Sequence, residues 1–195
     1  AVVQEVGLYF EYKLYRGNRT TKMNAERFNA FASPNYPLLI ESGVSLKLNI
    51  ALKYSASNTK LTVHKILDDN VVIIKIFPGL NATILSAILE IKNLKGVVLE
   101  TYGAGNATTD EWLITALRVA IQKGIYVINV TQCSAGSVNM QQYETGTALQ
   151  KIGVISGKDC TTEAAITKLM FLLGQNLSPS IFKNTFESSL RGEMT

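Results

Sequence analysis

Cysteine and histidine are scarce in this chain: its 195 residues include two cysteines, Cys133 and Cys160, and one histidine, His64. Two thiols so far apart make neither a disulfide framework nor a thiolate metal site, and they fit a reducing, cytoplasmic compartment best. His64 lies in an alternating stretch with no Asp and Ser partners that can be picked out for a triad, so a satisfied or solvent-facing ring outweighs a catalytic one. Charge is also sparse, at 17% of residues, and the 19 basic residues behind the net +4 are dispersed. A nucleic-acid surface needs a clustered basic stripe with interleaved aromatics, and that pattern is missing. No apolar run approaches the roughly 20 residues of a membrane span, and Ala1 to Phe10 lack the charged start and cleavage site of a signal peptide.

What is abundant is apolar side chain, 47% of the sequence, enough for a packed globular body. The chain opens in what reads as a strand, Val6, Leu8 and Phe10 alternating with Gly7 and Tyr9, and a domain that starts in mid-sheet suggests that a preceding part is missing. The first sixty-odd residues read as a strand over Glu5 to Tyr15, a polar loop over Arg16 to Lys22, and extended pieces near Val44 to Asn49 and Lys60 to Ile66. On charge pattern alone, the Arg16 to Lys22 loop is a solvated turn.

After Val71 the rhythm changes. Val71 to Phe77, Val97 to Tyr102, Tyr126 to Thr131 and Val154 to Ser156 are short β-branched or apolar runs, as expected of strands covered on both faces. Ala82 to Glu90, Glu111 to Lys123 and Thr162 to Leu173 carry apolar residues at three- and four-residue spacing, and Gly124 marks a helix stop. The expected fold is therefore α/β: a Rossmann-like parallel sheet with flanking helices over 69–195, preceded over 1–68 by the tail of another α/β domain.

Ligands in such sheets sit beyond the carboxyl ends of the strands, which directs attention to the loops after Phe77, Tyr102 and Thr131. Gly103-x-Gly105-Asn106 is only a partial dinucleotide fingerprint, since Thr108 holds the place of the third glycine; the glycines better serve a tight turn or a close approach. Gln132 to Tyr143 is rich in small polar side chains that can line a pocket or an interface. Cys133 has no His or Lys near it in sequence to lower its pKa, so a merely accessible thiol is the commoner reading.

The order of residues adds more than spacing does. Leu14-Tyr15-Arg16-Gly17-Asn18-Arg19-Thr20-Thr21-Lys22, followed by Phe28 to Pro34, closely resembles the lysine-bearing segment of type I (cytoplasmic) bacterial L-asparaginases. Tyr102 to Asn106, Asn129 to Cys133, Val138-Asn139-Met140 with Tyr143 and Gly146, Thr162-Glu163-Ala164 and Leu190 to Glu193 are similar to the same family in the same order. The resemblance implies hydrolysis of L-asparagine to L-aspartate and ammonia through a threonine nucleophile, without metal or organic cofactor. It places Lys22 as the lysine that helps remove the nucleophile's proton, in a relay with a threonine and an aspartate. It places Tyr143 as a residue that completes a neighbouring subunit's site in a homodimer or homotetramer. Some members also bind asparagine at a regulatory site, whose contacts correspond to Thr21 and Cys133. An arginine at that site in some members is replaced here by Glu100, an acid that reverses the preference for a carboxylate ligand.

The family's T-G-G-T-I nucleophile motif and its G-T-D-T motif occur nowhere in these 195 residues. The expectation is thus the carboxy-terminal portion of an asparaginase, inactive without an amino-terminal half. Two alternatives remain. The amidase subunit of a tRNA-dependent amidotransferase is disfavoured by the Y-R-G-N-R-T-T-K segment. A non-catalytic module for amino-acid binding or oligomerisation fits the absent nucleophile.

Overall fold

After Asp69 strands and helices alternate and end in two consecutive helices, and the computed structural model, which describes residues 3–49, 60, 62–108, 110–141 and 144–195, shows how they stack. Strands β7 (Val71–Lys75), β8 (Gly96–Thr101), β9 (Tyr126–Thr131) and β10 (Ile155–Ser156) form one parallel sheet in the order β10-β9-β8-β7. Helices α1 (Ala82–Leu89), α2 (Glu111–Gln122), α3 (Glu144–Lys151), α4 (Thr162–Leu173) and α5 (Pro179–Phe186) connect and cover it.

Strand periodicity divides the core in two. Val97 and Leu99 of β8 and Val127 of β9 point to one face and pack with Leu85, Leu113, Leu117 and Leu149 of α1, α2 and α3. Val98, Ile128 and Val130 point to the other face, under Leu169, Leu172, Phe182 and Phe186 of α4 and α5. Covering both faces is what makes β8 and β9 nearly continuous apolar runs. The helix ends are set locally. Asn81 caps α1 by accepting from the Ile84 amide at 3.1 Å, and Thr161 caps α4 by accepting from Ala164 at 3.1 Å. Gly124 follows α2 with φ of 92°, the left-handed stop its position predicts.

The part before Val71 departs from the sequence reading in three places. The single strand expected over Glu5 to Tyr15 is a hairpin, β1 (Gly7–Phe10) and β2 (Lys13–Arg16), turned at Glu11 and Tyr12 with φ of 44° and 63°. Two left-handed residues match the strand twist but usually call for Asn or Gly, so the side chains there conceal the turn. β2 continues into an antiparallel sheet with β5 (Ile40–Ser42) and β6 (Leu46–Leu48) in the order β1-β2-β5-β6. Among the described residues of 60–66 no strand forms, and His64 is exposed against the edge of the Phe171 ring, 5.2 Å between centroids. The third departure is the Arg16 to Lys22 loop. It is a 3-10 turn (Gly17–Arg19) leading into β3 (Thr21–Lys22), which pairs with β4 (Phe31–Ala32), and its two arginines are buried, not solvated.

Candidate active site

The β3–β4 hairpin presents Thr21 and Lys22 to opposite sides, because consecutive strand residues alternate. Lys22 is exposed, with Nζ 6.0 Å from the centroid of its cross-strand partner Phe31. Phe31 is propped by the edge of Phe10 at 5.0 Å, and its carbonyl accepts from the Tyr15 hydroxyl at 3.1 Å. Thr21 points the other way, toward α4, and its hydroxyl donates to Glu163 Oε1 at 2.7 Å.

What fixes the hairpin lies on either side of it. Arg19, only 2% exposed, donates through Nη2 to Asp159 Oδ2 at 2.7 Å, to the Asn35 carbonyl at 3.0 Å and to Thr195 Oγ1 at 3.0 Å, and through Nη1 to the Glu193 carbonyl at 3.0 Å. Arg16 pairs with Glu5 through both Nε and Nη2, reaches the Gly192 carbonyl, and stacks its guanidinium 4.2 Å from the Tyr36 ring centroid. Gly192, with φ of 74°, is required by that packing: a Cβ there would run into the Arg16 guanidinium. Glu193 in turn takes Lys168 Nζ at 2.5 Å and the amides of Leu190 and Arg191. The motif arginines thus join the first strands to the segment Leu190 to Thr195.

The electrostatics follow from this packing. Burial pushes the Asp159 carboxyl up, but the Arg19 guanidinium and two bonds from Thr195 outweigh it and hold the group below its ordinary value. Glu193 behaves alike, with burial opposed and overcome by Lys168 and the Leu190 and Arg191 amides. Burial pushes the Cys160 thiol up to about 12.

At the carboxyl ends of the strands a cavity of about 430 Å³ opens between the hairpin, the loop after β9 and the start of α4. It brings together Thr21, Glu100 and Cys133, which are scattered in sequence. Cys133 is exposed there, and Glu100 accepts from the Thr162 hydroxyl at 2.6 Å. Lys22 is not among its lining residues, so the structure separates Lys22 from Thr21 and Cys133. Tyr143 lies outside the described residues. The loop after Tyr102 is closed on itself, with Thr131 Oγ1 donating to the Gly103 carbonyl at 2.5 Å and a bridge between Tyr102 and Asn106. Arg19, Asn35 and Asp159 also line the cavity; Arg19 stands in the lysine-bearing motif without an assigned role, and nothing local singles out Asn35 or Asp159, because the Arg19–Asp159 pair spans 140 positions. Among the described residues, no cluster of three or more His, Cys, Asp or Glu is arranged to hold a metal ion.

This arrangement can be set against known families. The family model described as the glutaminase/asparaginase C-terminal domain matches residues 70–186, and the one described as asparaginase, N-terminal, matches residues 1–55. The chain belongs to the glutaminase/asparaginase family. Among curated relatives of the family, it is 41% identical to L-asparaginase 1 of Escherichia coli K12 over 99% of this chain and 57% of that protein. It is 42% identical to the 60 kDa lysophospholipase of Homo sapiens over all of this chain and 34% of that protein. The crystal structure of L-asparaginase I from Vibrio cholerae superposes with a TM-score of 0.92 at 41% identity, covering 99% of this chain and 58% of that one. The chain therefore spans about half the length of the asparaginases it matches.

Proposed function

We propose that the whole protein is an L-asparaginase, hydrolysing L-asparagine to L-aspartate and ammonia, and that this chain supplies Lys22 to a threonine nucleophile held elsewhere. The observation that carries the reading is the presentation of Lys22: an exposed ammonium on a hairpin whose neighbours are buried and clamped, facing away from the cavity of the α/β domain. A neutral threonine hydroxyl is a weak nucleophile. A lysine at the end of a threonine–aspartate relay takes up the proton as the hydroxyl attacks the carboxamide carbon. The tetrahedral intermediate expels ammonia, and water then hydrolyses the acyl-enzyme to release aspartate. The division falls at 1–68 and 69–195, the site is cytoplasmic, and the assembly is a homodimer or homotetramer in which Tyr143 reaches a neighbour's site.

The chain lacks the T-G-G-T-I motif, so it is inactive by itself. Mixing it with a separately produced amino-terminal half should yield ammonia from asparagine where neither piece does so alone; turnover by the 195 residues alone would refute the assignment.

The cavity holding Thr21 and Cys133 matches the regulatory asparagine site the resemblance implies, but here it presents Glu100 and Glu163, with no cation within ion-pair distance of either among the described residues, although Lys75 and the Asp159-paired Arg19 also line it. Two carboxylates oppose the carboxylate of an amino acid. The whole enzyme should show a hyperbolic dependence of rate on asparagine, and Glu100→Arg should make it sigmoidal. A sigmoidal curve for the unaltered protein would show that Glu100 does not block the site.

A further inference from the structure

We propose that Asp159 is a positioning residue for Lys22, acting across the molecule on the hairpin that carries it; this rests on the catalytic role of Lys22 proposed above. Lys22 lies on a two-residue strand, too short to fix a side chain by its own ladder. Both feet of the hairpin are instead tied to Asp159. Arg19, three residues before Lys22, gives its Nη2 to the Asp159 carboxylate at 2.7 Å. Asn35, three residues after β4 ends, gives its Nδ2 to the Asp159 carbonyl at 3.2 Å, and its own carbonyl accepts from Arg19 at 3.0 Å.

The triangle Arg19–Asp159–Asn35 closes the hairpin at its base, and two further ties limit its tilt. Asn35 exchanges a pair of bonds with the Gly136 backbone at 2.8 and 2.9 Å, and Thr21 is held by Glu163 at 2.7 Å. Asp159 is itself fixed by the Thr195 amide at 2.8 Å and the Thr195 hydroxyl at 2.7 Å. The carboxylate is the one charged partner within ion-pair reach of the buried Arg19 guanidinium among the described residues. Removing its charge frees the guanidinium to shift, and the backbone that aims Lys22 shifts with it. Asp159 touches no reacting atom in this scheme. It sets the direction from which Lys22 approaches the hydroxyl, and misplacement by about 1 Å at such a site costs up to about 100-fold in rate.

The test is steady-state asparagine hydrolysis by the complete active protein carrying Asp159→Asn, with kcat and KM measured separately across pH. Asparagine in place of aspartate keeps an acceptor and nearly the same volume. The expected result is a fall in kcat of about 10- to 100-fold with KM within about twofold, and a displaced pH profile of kcat. Placed on a Lys22→Met background, Asp159→Asn should cause no further fall, because it acts through the lysine. A core truncation remote from the hairpin, Leu89→Ala, should lower the melting temperature with kcat intact. Should Asp159→Asn fail to fold, Arg19→Lys, which keeps the charge and loses the planar fork, is expected to show the same separation of kcat from KM. Unchanged kcat and pH profile in Asp159→Asn, with Lys22→Met inactive, would overturn the positioning role alone. Full activity in Lys22→Met would overturn the function itself and the positioning role with it.

Discussion

At the scale of single residues, stability depends on charges that are buried because they are paired. Lys168 and Glu193 are 6% and 4% exposed and sit 2.5 Å apart. Removing one member of such a pair leaves the other uncompensated, which costs about 3–5 kcal/mol. Glu193→Ala should lower the unfolding free energy by that order in a chemical unfolding series. The carboxyls of Asp159 and Glu193 are both held below their ordinary values in the folded chain. Their contribution is therefore present above the ordinary carboxylate range near pH 4 and is lost as pH falls through the lower folded values. Stability should decline on acidification below about pH 4, and Glu193→Gln should flatten that decline when melting is followed against pH. The cysteines separate as sharply: Cys160 is buried with its thiol pushed up to about 12, and Cys133 is exposed. A thiol reagent should modify one cysteine of the native chain, Cys133, and both after denaturation, as mass spectrometry would read. Residue order singles out Lys22 as an expected catalytic lysine and Thr21 with Cys133 as expected contacts of a separate regulatory site, and the structure gathers Thr21 and Cys133 at one cavity with Lys22 outside it. Residue order does not reveal the pairing of the motif's Arg19 with Asp159, because a salt bridge between positions 140 apart leaves no local pattern.

At the scale of elements, periodicity was informative wherever an element buries a continuous face. The stripe Leu113, Leu117 and Ala120 of α2 is fully or nearly fully buried, and the runs read as β8 and β9 lie where the alternation of the two cores requires. Leu117→Ala should cost about 2–5 kcal/mol, by lost burial and the cavity left behind, in an equilibrium unfolding measurement. Elements with weak faces were not legible. In α3 two threonines and a glycine dilute the stripe to Gly146 and Leu149, and α5 rests on Phe182 and Phe186 alone. The β1–β2 turn was hidden because Glu11 and Tyr12, and not glycine or asparagine, adopt its left-handed geometry. The Arg16 to Lys22 loop is deceptive for the opposite reason: its charge resembles a solvated surface, and its burial depends on partners distant in sequence, among them Asp159, Gly192 and Glu193.

At the scale of the whole molecule, one α/β layer with two apolar cores carries a smaller antiparallel sheet, and polar clamps from Arg16 and Arg19 tie that sheet to the final residues. The consequence is a division of labour. The α/β domain supplies rigidity and most of the cavity lining, and the hairpin it anchors turns Thr21 toward that cavity and Lys22 away from it. The proposed role of this lysine is to activate a threonine nucleophile held elsewhere in the complete protein. The most direct measurement is asparagine hydrolysis by the complete protein with Lys22→Met against the unaltered enzyme, both confirmed as folded. A proton-transfer role predicts a loss of about 10²- to 10⁴-fold in kcat; a rate within a few-fold of the unaltered enzyme would rule that role out.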